Sequence, residues 1–321
     1  MTKKYIKEKG KITKILTEDN IHTENQKIKL DVVYCGICGT DYQKYIGMDN
    51  VQEWGHEIIA TLSNSPHNYV TIRTTYACGK CSCCISGHKE HCSNWQRANI
   101  NGFSNRIEVD PKCIIPLDDN LVDESYTLIE PLYVANSLIK HVEFEKNGIY
   151  TIIGNGTIGL LTAFLLKRKN VADVRIVGHR NMNKKKEFIK LINCKYYSYE
   201  ELENALKGSR NVIVTSPYNT ISRVINLAEN YANITFNGIS KQTKVELNMD
   251  TWHFKNLKIW PSFPHPQSDF KEEIEILRKE KDVLKKIITG IYSLDEIETA
   301  FEDLKNKTKD NIKILIKCKE W

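Results

Sequence analysis

Four cysteines within fifteen residues constrain the fold of this chain more than any other feature. Their spacing is C-x2-C-x2-C-x7-C, formed by Cys78, Cys81, Cys84 and Cys92. Two-residue gaps let a tight turn direct successive sulfur atoms at one point, and structural zinc sites hold four such ligands at tetrahedral positions. Residues 78–92 are too few to fold around an apolar core, so the spacing predicts a lobe held by structural zinc. The alternative is a disulfide cluster, which suits secreted proteins, and nothing else in the sequence indicates secretion.

The composition is that of a globular protein with two domains. The chain has 321 residues, of which 41% are hydrophobic and 27% charged, and this length allows two cores. The basic N-terminus is not followed by an apolar stretch, so we expect no signal peptide and no membrane association. Ten cysteines without an export signal suit a reducing cytoplasm. The net charge of +6 is modest and its lysines are scattered among acids, which argues against nucleic-acid binding.

The secondary-structure pattern changes near Glu130. Before this residue, short apolar segments such as Ile28–Val33 and Ile58–Leu62 alternate with polar turns, which predicts a β-rich domain. After it, strands and amphipathic helices alternate, beginning with strand Ile149–Ile153 and helix Ile158–Lys169. Such alternation builds a doubly wound parallel sheet, so the sequence predicts an α/β protein.

A glycine-rich loop follows the first of these strands. It matches G-x-G-x-x-G and consists of Gly154, Asn155, Gly156, Thr157, Ile158 and Gly159. The first glycine allows a tight turn, the second lets the backbone approach a pyrophosphate, and the third lets the helix pack on the strand. The helix N-terminus then faces the phosphates. A glycine-rich turn without a ligand is the alternative, and the strand and helix on either side favour the dinucleotide site.

The end of the next strand distinguishes between two nicotinamide cofactors. NAD sites usually place Asp or Glu about 20 residues after the loop, where it binds the ribose 2′-hydroxyl. This chain has Gly178, His179 and Arg180 there. A glycine leaves room for a 2′-phosphate, which Arg180 can bind through two hydrogen bonds with help from His179. The sequence therefore predicts NADP(H), with NAD(H) as the alternative if Arg180 merely faces solvent.

A second set of metal-binding residue types lies outside the four-cysteine lobe. It consists of Cys38, His56, Glu57 and Glu130. Cys38 lies in a Gly-Ile-Cys-Gly turn, and His56 and Glu57 follow a glycine. A catalytic zinc needs a few protein ligands and one open position. Each residue alone is more often structural, but the combination with the lobe and the glycine loop predicts a catalytic zinc site.

The order of these motifs resembles the zinc-dependent medium-chain dehydrogenase/reductase superfamily, closest to its polyol and threonine dehydrogenase branch. The motifs are Gly-Ile-Cys-Gly-Thr-Asp, Gly-His-Glu, the four-cysteine lobe, Glu-Pro and G-x-G-x-x-G, and they span essentially the whole chain. The resemblance implies a GroES-like catalytic domain at 1–131 and a Rossmann cofactor domain at 132–270. It also implies that segment 271–321 returns to the catalytic domain, that each chain binds two zinc ions, and that the protein is a homodimer or homotetramer.

The resemblance also implies individual roles at the catalytic zinc. Cys38 and His56 match metal ligands. Glu57 matches a neighbouring carboxylate that is a ligand in polyol-type members, and Glu130 matches a carboxylate that binds zinc or exchanges with zinc-bound water. Which of the two glutamates is the direct ligand stays open.

The segment that follows Cys38 contains three residues that concern proton transfer or its surroundings. Thr40 matches the hydroxyl that passes a proton from the substrate oxygen, and Asp41 matches a structural acid. Gln43 stands where many members have a relay histidine, so the relay ends at Thr40, a ribose hydroxyl or water.

The motifs together predict a zinc-dependent, NADP(H)-linked oxidoreductase that interconverts a secondary alcohol and a ketone. Zinc polarises the carbonyl in such chemistry while hydride moves to or from the nicotinamide. A sugar, polyol or polyol phosphate is the expected substrate. The alternatives are an NAD-linked dehydrogenase of an amino alcohol such as threonine, or of an aldose, and a zinc-stabilised binding module without enzymatic activity.

Overall fold

The structure is a computed structural model that describes residues 1–18, 27–117, 122–140, 142, 144–179, 183–237, 244–263, 266, 268–306 and 310–319. The chain divides into two compact units. One comprises Met1–Glu130 together with His265–Trp321, and the other comprises Pro131–Pro264. The first unit is therefore built from two separate parts of the sequence.

The elements are numbered in chain order. The strands are β1 (Thr2–Glu8), β2 (Lys11–Thr17), β3 (Ile28–Gly36), β4 (Glu57–Leu62), β5 (Ser65–Ile72), β6 (Thr75–Tyr76), β7 (Gln96–Arg97), β8 (Arg106–Val109), β9 (Ile114–Pro116), β10 (Ile149–Ile153), β11 (Asp173–Gly178), β12 (Lys195–Ser198), β13 (Asn211–Val214), β14 (Asn233–Phe236), β15 (Lys258–Pro261), β16 (Ile288–Ser293) and β17 (Lys313–Lys317). The α-helices are α1 (Gly39–Ile46), α2 (Ser82–Ile85), α3 (Ile129–Lys140), α4 (Thr157–Arg168), α5 (Asn183–Leu191), α6 (Leu202–Leu206), α7 (Ile221–Leu227), α8 (Met249–Lys255), α9 (Lys271–Leu284) and α10 (Ile297–Asn306).

The second unit is built on a six-stranded sheet with the order β12-β11-β10-β13-β14-β15. All neighbouring strands in it are parallel. Counted from β10, this is the order 3-2-1-4-5-6 of dinucleotide-binding sheets. The predicted Rossmann sheet is therefore confirmed. The two edge strands, β12 and β15, were not predicted, because each is short, partly exposed and lacks an apolar run.

The first unit is built on a seven-stranded, mostly antiparallel sheet. Its order is β16-β17-β3-β4-β5-β9, and β8 also pairs with β3. In this sheet Gly36 at the end of β3 lies opposite Glu57 at the start of β4, while Leu315 of β17 pairs with Gly36 from the other side. The loops that follow β3 and precede β4 therefore emerge side by side. They carry Cys38 and His56, so the register of three strands positions the site.

An aromatic cluster fixes the loop that leads to His56. Trp54 stacks on Phe301 of α10, with ring centroids 5.2 Å apart, and meets the edge of Phe103 at 5.3 Å. The Trp54 indole N–H donates to the backbone carbonyl of Tyr5 at 2.8 Å. Because Trp54 is almost completely buried, this packing leaves the loop little freedom.

The structure can be compared with two points of the sequence analysis, the membrane association and the disulfide cluster. Among the helices that the structure describes, none combines the length and hydropathy of a membrane span. All ten cysteines lie within the described residues, and each has a free thiol. The disulfide alternative for the four-cysteine lobe is therefore not the arrangement found.

Candidate active site and metal centres

The four cysteines of the lobe converge on one point. The Sγ atom of Cys81 lies 3.4 Å from that of Cys84 and 3.8 Å from that of Cys92, and the Cys78 and Cys84 sulfurs are 4.0 Å apart. All four sulfurs lie within 4.8 Å of one another. Zinc–sulfur bonds of about 2.3 Å at tetrahedral angles separate sulfur atoms by about 3.8 Å. The cluster therefore has the size of a tetrathiolate zinc site.

The electrostatics of the lobe also suit a cation. Hydrogen bonds from the backbone and thiol of Cys84 lower the pKa of Cys81 to about 6. The backbone of Lys80 lowers the pKa of Cys78, whereas burial raises the pKa of Cys84 to about 12. Neighbouring thiolates therefore oppose each other's ionisation, and a divalent cation removes that conflict. Cys83 is not part of the group.

Replacing Cys81 by serine should lower the zinc content by the one ion predicted for the lobe, because a structural site needs all four thiolates. Atomic emission on gel-filtered protein measures this content. The lobe should also become sensitive to proteolysis within residues 78–92.

The adjacent Cys83→Ser is the matched control, and we expect it to keep both ions. If Cys83→Ser lost a zinc ion and Cys81→Ser did not, the assignment of the four ligands would be wrong.

Asp41 ties together the two loops that carry Cys38 and His56. Its carboxylate accepts the backbone N–H of Cys38 at 3.1 Å and that of Gly55 at 2.9 Å. In return, the backbone N–H of Asp41 donates to the Cys38 sulfur at 3.3 Å, so Cys38 is the N-cap of α1. The positive end of the α1 dipole thus faces the sulfur, which favours its thiolate form.

Cys38 and Glu130 lie beside different nitrogen atoms of the half-buried His56 ring. The Sγ atom of Cys38 lies 3.9 Å from Nδ1 of His56, and Nε2 of His56 lies 3.9 Å from Oε1 of Glu130. Glu130 comes from the first turn of α3. The Cys38 sulfur, one oxygen of Asp41 and a ring nitrogen of His56 lie within 4.8 Å of one another, and Glu130 borders this group through His56.

Burial shifts the pKa of three titratable groups here, those of Glu130, Cys38 and His56. It raises the pKa of Glu130 to about 7, although the charge of His56 opposes the rise. Burial and Asp41 raise the pKa of Cys38. Burial lowers the pKa of His56, but Cys38 and Glu130 outweigh it and raise that pKa well above its usual range. A thiol, an imidazole and a carboxyl group are the kinds of side chain that bind a zinc ion.

Glu57 has a different partner from the other predicted ligands. The Nζ atom of Lys313 donates to both of its carboxylate oxygens, at 2.7 and 2.6 Å, and to the carbonyl of Ile37 at 3.0 Å. Both side chains are 3% exposed. Burial lowers the pKa of Lys313, but the Glu57 carboxylate outweighs it and raises that pKa. In the described structure both carboxylate oxygens of Glu57 therefore accept hydrogen bonds from Lys313. A role for Glu57 as a metal ligand stays a prediction.

Sequence reasoning missed Lys313. The signal was present, since a lysine opens the apolar strand β17 in Lys-Ile-Leu-Ile, where both faces are buried. A buried lysine in such a strand requires an anionic partner. The sequence does not reveal which carboxylate that partner is.

Thr40 and Gln43 both lie on α1. Thr40 is exposed in the first turn, two residues after Cys38, and Gln43 is exposed one turn later. The hydroxyl of Thr40 is therefore accessible on the helix that Cys38 caps, as a proton-transfer role requires. That role stays a prediction.

The glycine loop has the geometry that the motif predicts. Gly154 has a φ of +123°, and its backbone N–H donates to the carbonyl of Val177 at 2.8 Å. A Cβ on Gly159 would lie 2.0 Å from the Gly154 carbonyl oxygen, so α4 could not pack this closely with a larger residue. Gly156 has open space around it and is the N-cap of α4, whose first turn contains Thr157 and Ile158. The open N-terminus suits a pyrophosphate.

The predicted cofactor-selecting residues lie at the end of β11. Gly178 is its last residue, and the ring of His179 stacks on Tyr199 with centroids 3.9 Å apart. The guanidinium group of Arg223 also lies over the Tyr199 ring, 4.8 Å from its centroid. Arg180 lies outside the described residues. Arg223 was not identified from the sequence, because its position beside His179 depends on the packing of α7.

Comparison with known proteins extends these observations. The family model described as glucose dehydrogenase C-terminus matches residues 126–317. A sorbitol dehydrogenase from Halalkalibacterium halodurans is 24% identical over 315 residues, which cover 90% of this chain and 91% of that protein. A 2-dehydro-3-deoxy-L-galactonate 5-dehydrogenase from Pseudoalteromonas atlantica is 25% identical over 317 residues, which cover 91% and 92% of the two chains.

The crystal structure of galactitol-1-phosphate dehydrogenase from Escherichia coli has the same fold. Its TM-score is 0.81 at 18% identity, with 98% of this chain and 99% of that chain covered. The predicted α/β fold, with GroES-like and Rossmann parts, is confirmed. Because the family model spans more than half of the sequence, the chain belongs to the glucose dehydrogenase C-terminus family and, with it, to the zinc-dependent medium-chain dehydrogenase/reductase superfamily, as an enzyme of the zinc alcohol dehydrogenase type.

Proposed function

We propose that this protein is a zinc-dependent, NADP(H)-linked oxidoreductase that interconverts a secondary alcohol and a ketone of a polyol or sugar. The observation that carries the proposal is the approach of Cys38 and His56 to each other, with Glu130 beside the other nitrogen of the His56 ring. Asp41 holds the first two of these residues on loops of fixed geometry. A thiolate and an imidazole of this kind bind a catalytic metal and leave further positions open.

The residues of the site take separate roles in the proposed reaction. Cys38 and His56 would hold the zinc ion, which supplies a Lewis acid that polarises the substrate oxygen. The carboxyl group of Glu130 would bind the metal when ionised or carry a proton when neutral. Its pKa of about 7 allows both protonation states near neutral pH. Thr40 would pass the substrate proton toward solvent. Glu57, bound by Lys313, would shape the charge beside the site rather than contact the substrate.

The substrate class rests on the relatives. Both sequence relatives carry the names of enzymes that oxidise a hydroxyl group on a sugar alcohol or sugar acid chain. A phosphorylated polyol is included because the structural neighbour is named for one. An NAD-linked enzyme of an amino alcohol or an aldose is the second candidate.

The preference for NADP(H) rests on the charge at the end of β11. Gly178 contributes no carboxylate, and Arg223 brings a cationic group to the same place, with the Tyr199 ring between it and His179. An anionic 2′-phosphate suits such a site. NAD(H) binding would need a carboxylate for the ribose hydroxyls. Glu200 is the candidate, since its carboxylate interacts with both His179 and Arg223.

Initial rates of NADPH and NADH oxidation by the zinc-loaded enzyme test the proposal. The panel contains ketoses, ketose phosphates and simple ketones, and the reverse reaction is run with polyols and threonine. We expect one ketose class to react, with kcat/KM at least about tenfold higher for NADPH, since a hydrogen bond to a charged group contributes about 1.5–3 kcal/mol. A preference for NADH together with threonine or aldose oxidation would favour the second candidate.

The predicted homodimer or homotetramer and the cytoplasmic location remain proposals. Light scattering on the purified protein measures the first. Fractionation of cells that express the chain measures the second.

A further inference from the structure

The end of β11 contacts the glycine loop closely at Gly178. A Cβ added to Gly178 would lie 2.2 Å from Nδ2 of Asn155, 2.4 Å from its Cγ and 3.0 Å from its Cβ. The φ angle of Gly178 does not lie in the left-handed region, so its backbone conformation is open to any residue. Among its nearest neighbours, the side chain of Asn155 is therefore what excludes a larger residue at position 178.

Asn155 is almost completely buried in the glycine loop. It lies between Gly154 and Gly156 in the glycine loop and is 8% exposed. The backbone of Gly154 is bound to β11 through the carbonyl of Val177. The loop therefore directs the Asn155 carboxamide at the end of β11.

The position that Asn155 fills is the one that decides between cofactors. An Asp or Glu at the end of the second strand binds the ribose hydroxyl of NAD(H). Such a side chain on residue 178 would have to begin where the Asn155 carboxamide now lies.

We propose that Asn155 is a specificity-determining residue for the cofactor. Its carboxamide excludes a carboxylate side chain from position 178 and offers a neutral hydrogen-bonding group there instead. The 2′-phosphate of NADP(H) then meets no negative charge from β11. This inference rests on the proposed NADP(H) preference and explains how the chain maintains it.

Binding of two adenosine fragments tests the inference without metal, substrate or turnover. Adenosine 2′,5′-bisphosphate represents NADP(H), and 5′-AMP represents NAD(H). Calorimetric titrations of the full-length protein compare the wild type with Gly178→Asp, Asn155→Ala and the double variant. Asn155→Ala/Gly178→Ala separates relief of crowding from the effect of the new carboxylate.

We expect the wild type to prefer adenosine 2′,5′-bisphosphate by about tenfold or more, as one added charge-assisted contact implies. Gly178→Asp alone should bind both fragments more weakly and melt at a lower temperature, since Asn155 blocks its side chain. The double variant should regain thermal stability and prefer 5′-AMP by about tenfold. The two substitutions should therefore be strongly non-additive.

Additive effects would overturn the inference. So would a Gly178→Asp variant that melts like the wild type and already prefers 5′-AMP, because Asn155 would then be no obstacle. A wild type that prefers 5′-AMP would overturn the proposed NADP(H) preference instead, whatever the coupling between positions 155 and 178.

Discussion

Replacing Cys38 by serine is expected to remove the proposed catalytic zinc and to lower kcat/KM by about four orders of magnitude, or about 5.4 kcal/mol. The thiolate is the proposed anionic ligand at the N-terminus of α1, and a serine hydroxyl does not replace it. Zinc content should fall by the one ion proposed for this site. In the cobalt-substituted enzyme, the sulfur-to-metal charge-transfer absorption of this site should disappear.

The matched control is Cys35→Ser. Cys35 is fully buried on β3, three residues before Cys38, and its thiol is not part of either group of candidate metal ligands. We expect this variant to keep both metals and most of the activity. Equal loss of metal from Cys35→Ser and Cys38→Ser would show that the local fold, and not the Cys38 sulfur, controls metal binding.

Replacing Lys313 by methionine is expected to destabilise the protein by about 3–5 kcal/mol, as when one partner of a buried ion pair is removed. Glu57 would lose its buried cationic partner and both of its hydrogen bonds to Nζ. Urea unfolding at pH 7 measures the loss, with the denaturation midpoint and slope compared with the wild type.

Two controls separate the buried pair from a general effect of losing a lysine. Lys279→Met breaks an exposed pair with Glu275, whose atoms are 2.9 Å apart, and should change stability by less than about 0.5 kcal/mol. Glu57→Gln combined with Lys313→Met should recover much of the loss, because no uncompensated charge remains. A cost below about 1 kcal/mol for Lys313→Met would mean that water or rearrangement compensates the Glu57 charge.

Local patterns predicted the elements of the second unit well. The strand Ile149–Ile153 has the predicted bounds, and the helix predicted at Ile158–Lys169 lies one residue earlier, at Thr157–Arg168. In these segments the apolar period, the glycine loop and the polar ends all indicate the same structure.

The first unit was harder to predict. α1 was interpreted as a turn, because its N-cap is the sulfur of Cys38 and not one of the usual oxygen-bearing caps. The hairpin of β1 and β2 was missed because lysines occur along both strands and little of β2 is buried. Its turn at Lys9 and Gly10, both with positive φ, was the available signal.

Spacing predicted which residues form the site but not every contact within it. The four cysteines of the lobe are local, so their arrangement follows from the turn geometry. The pair of Glu57 and Lys313 joins residues 256 positions apart, and only the register of β4, β3 and β17 brings them together. Asp41 likewise contacts both Cys38 and Gly55 through hydrogen bonds that no sequence pattern specifies.

The pairing of β17 with β3 also determines the order in which the protein can be assembled. During synthesis the ribosome completes all of the second unit before it makes β17, so the Rossmann sheet can fold while the first unit is still unfinished. Until β17 arrives, residues 34–36 of β3 keep an unpaired edge and Glu57 lacks its cation. Pairing across so long a stretch of chain is slow. The surroundings of Cys38 and His56 are therefore completed late in folding. A zinc ion bound there would stabilise the first unit, which is the last to be completed.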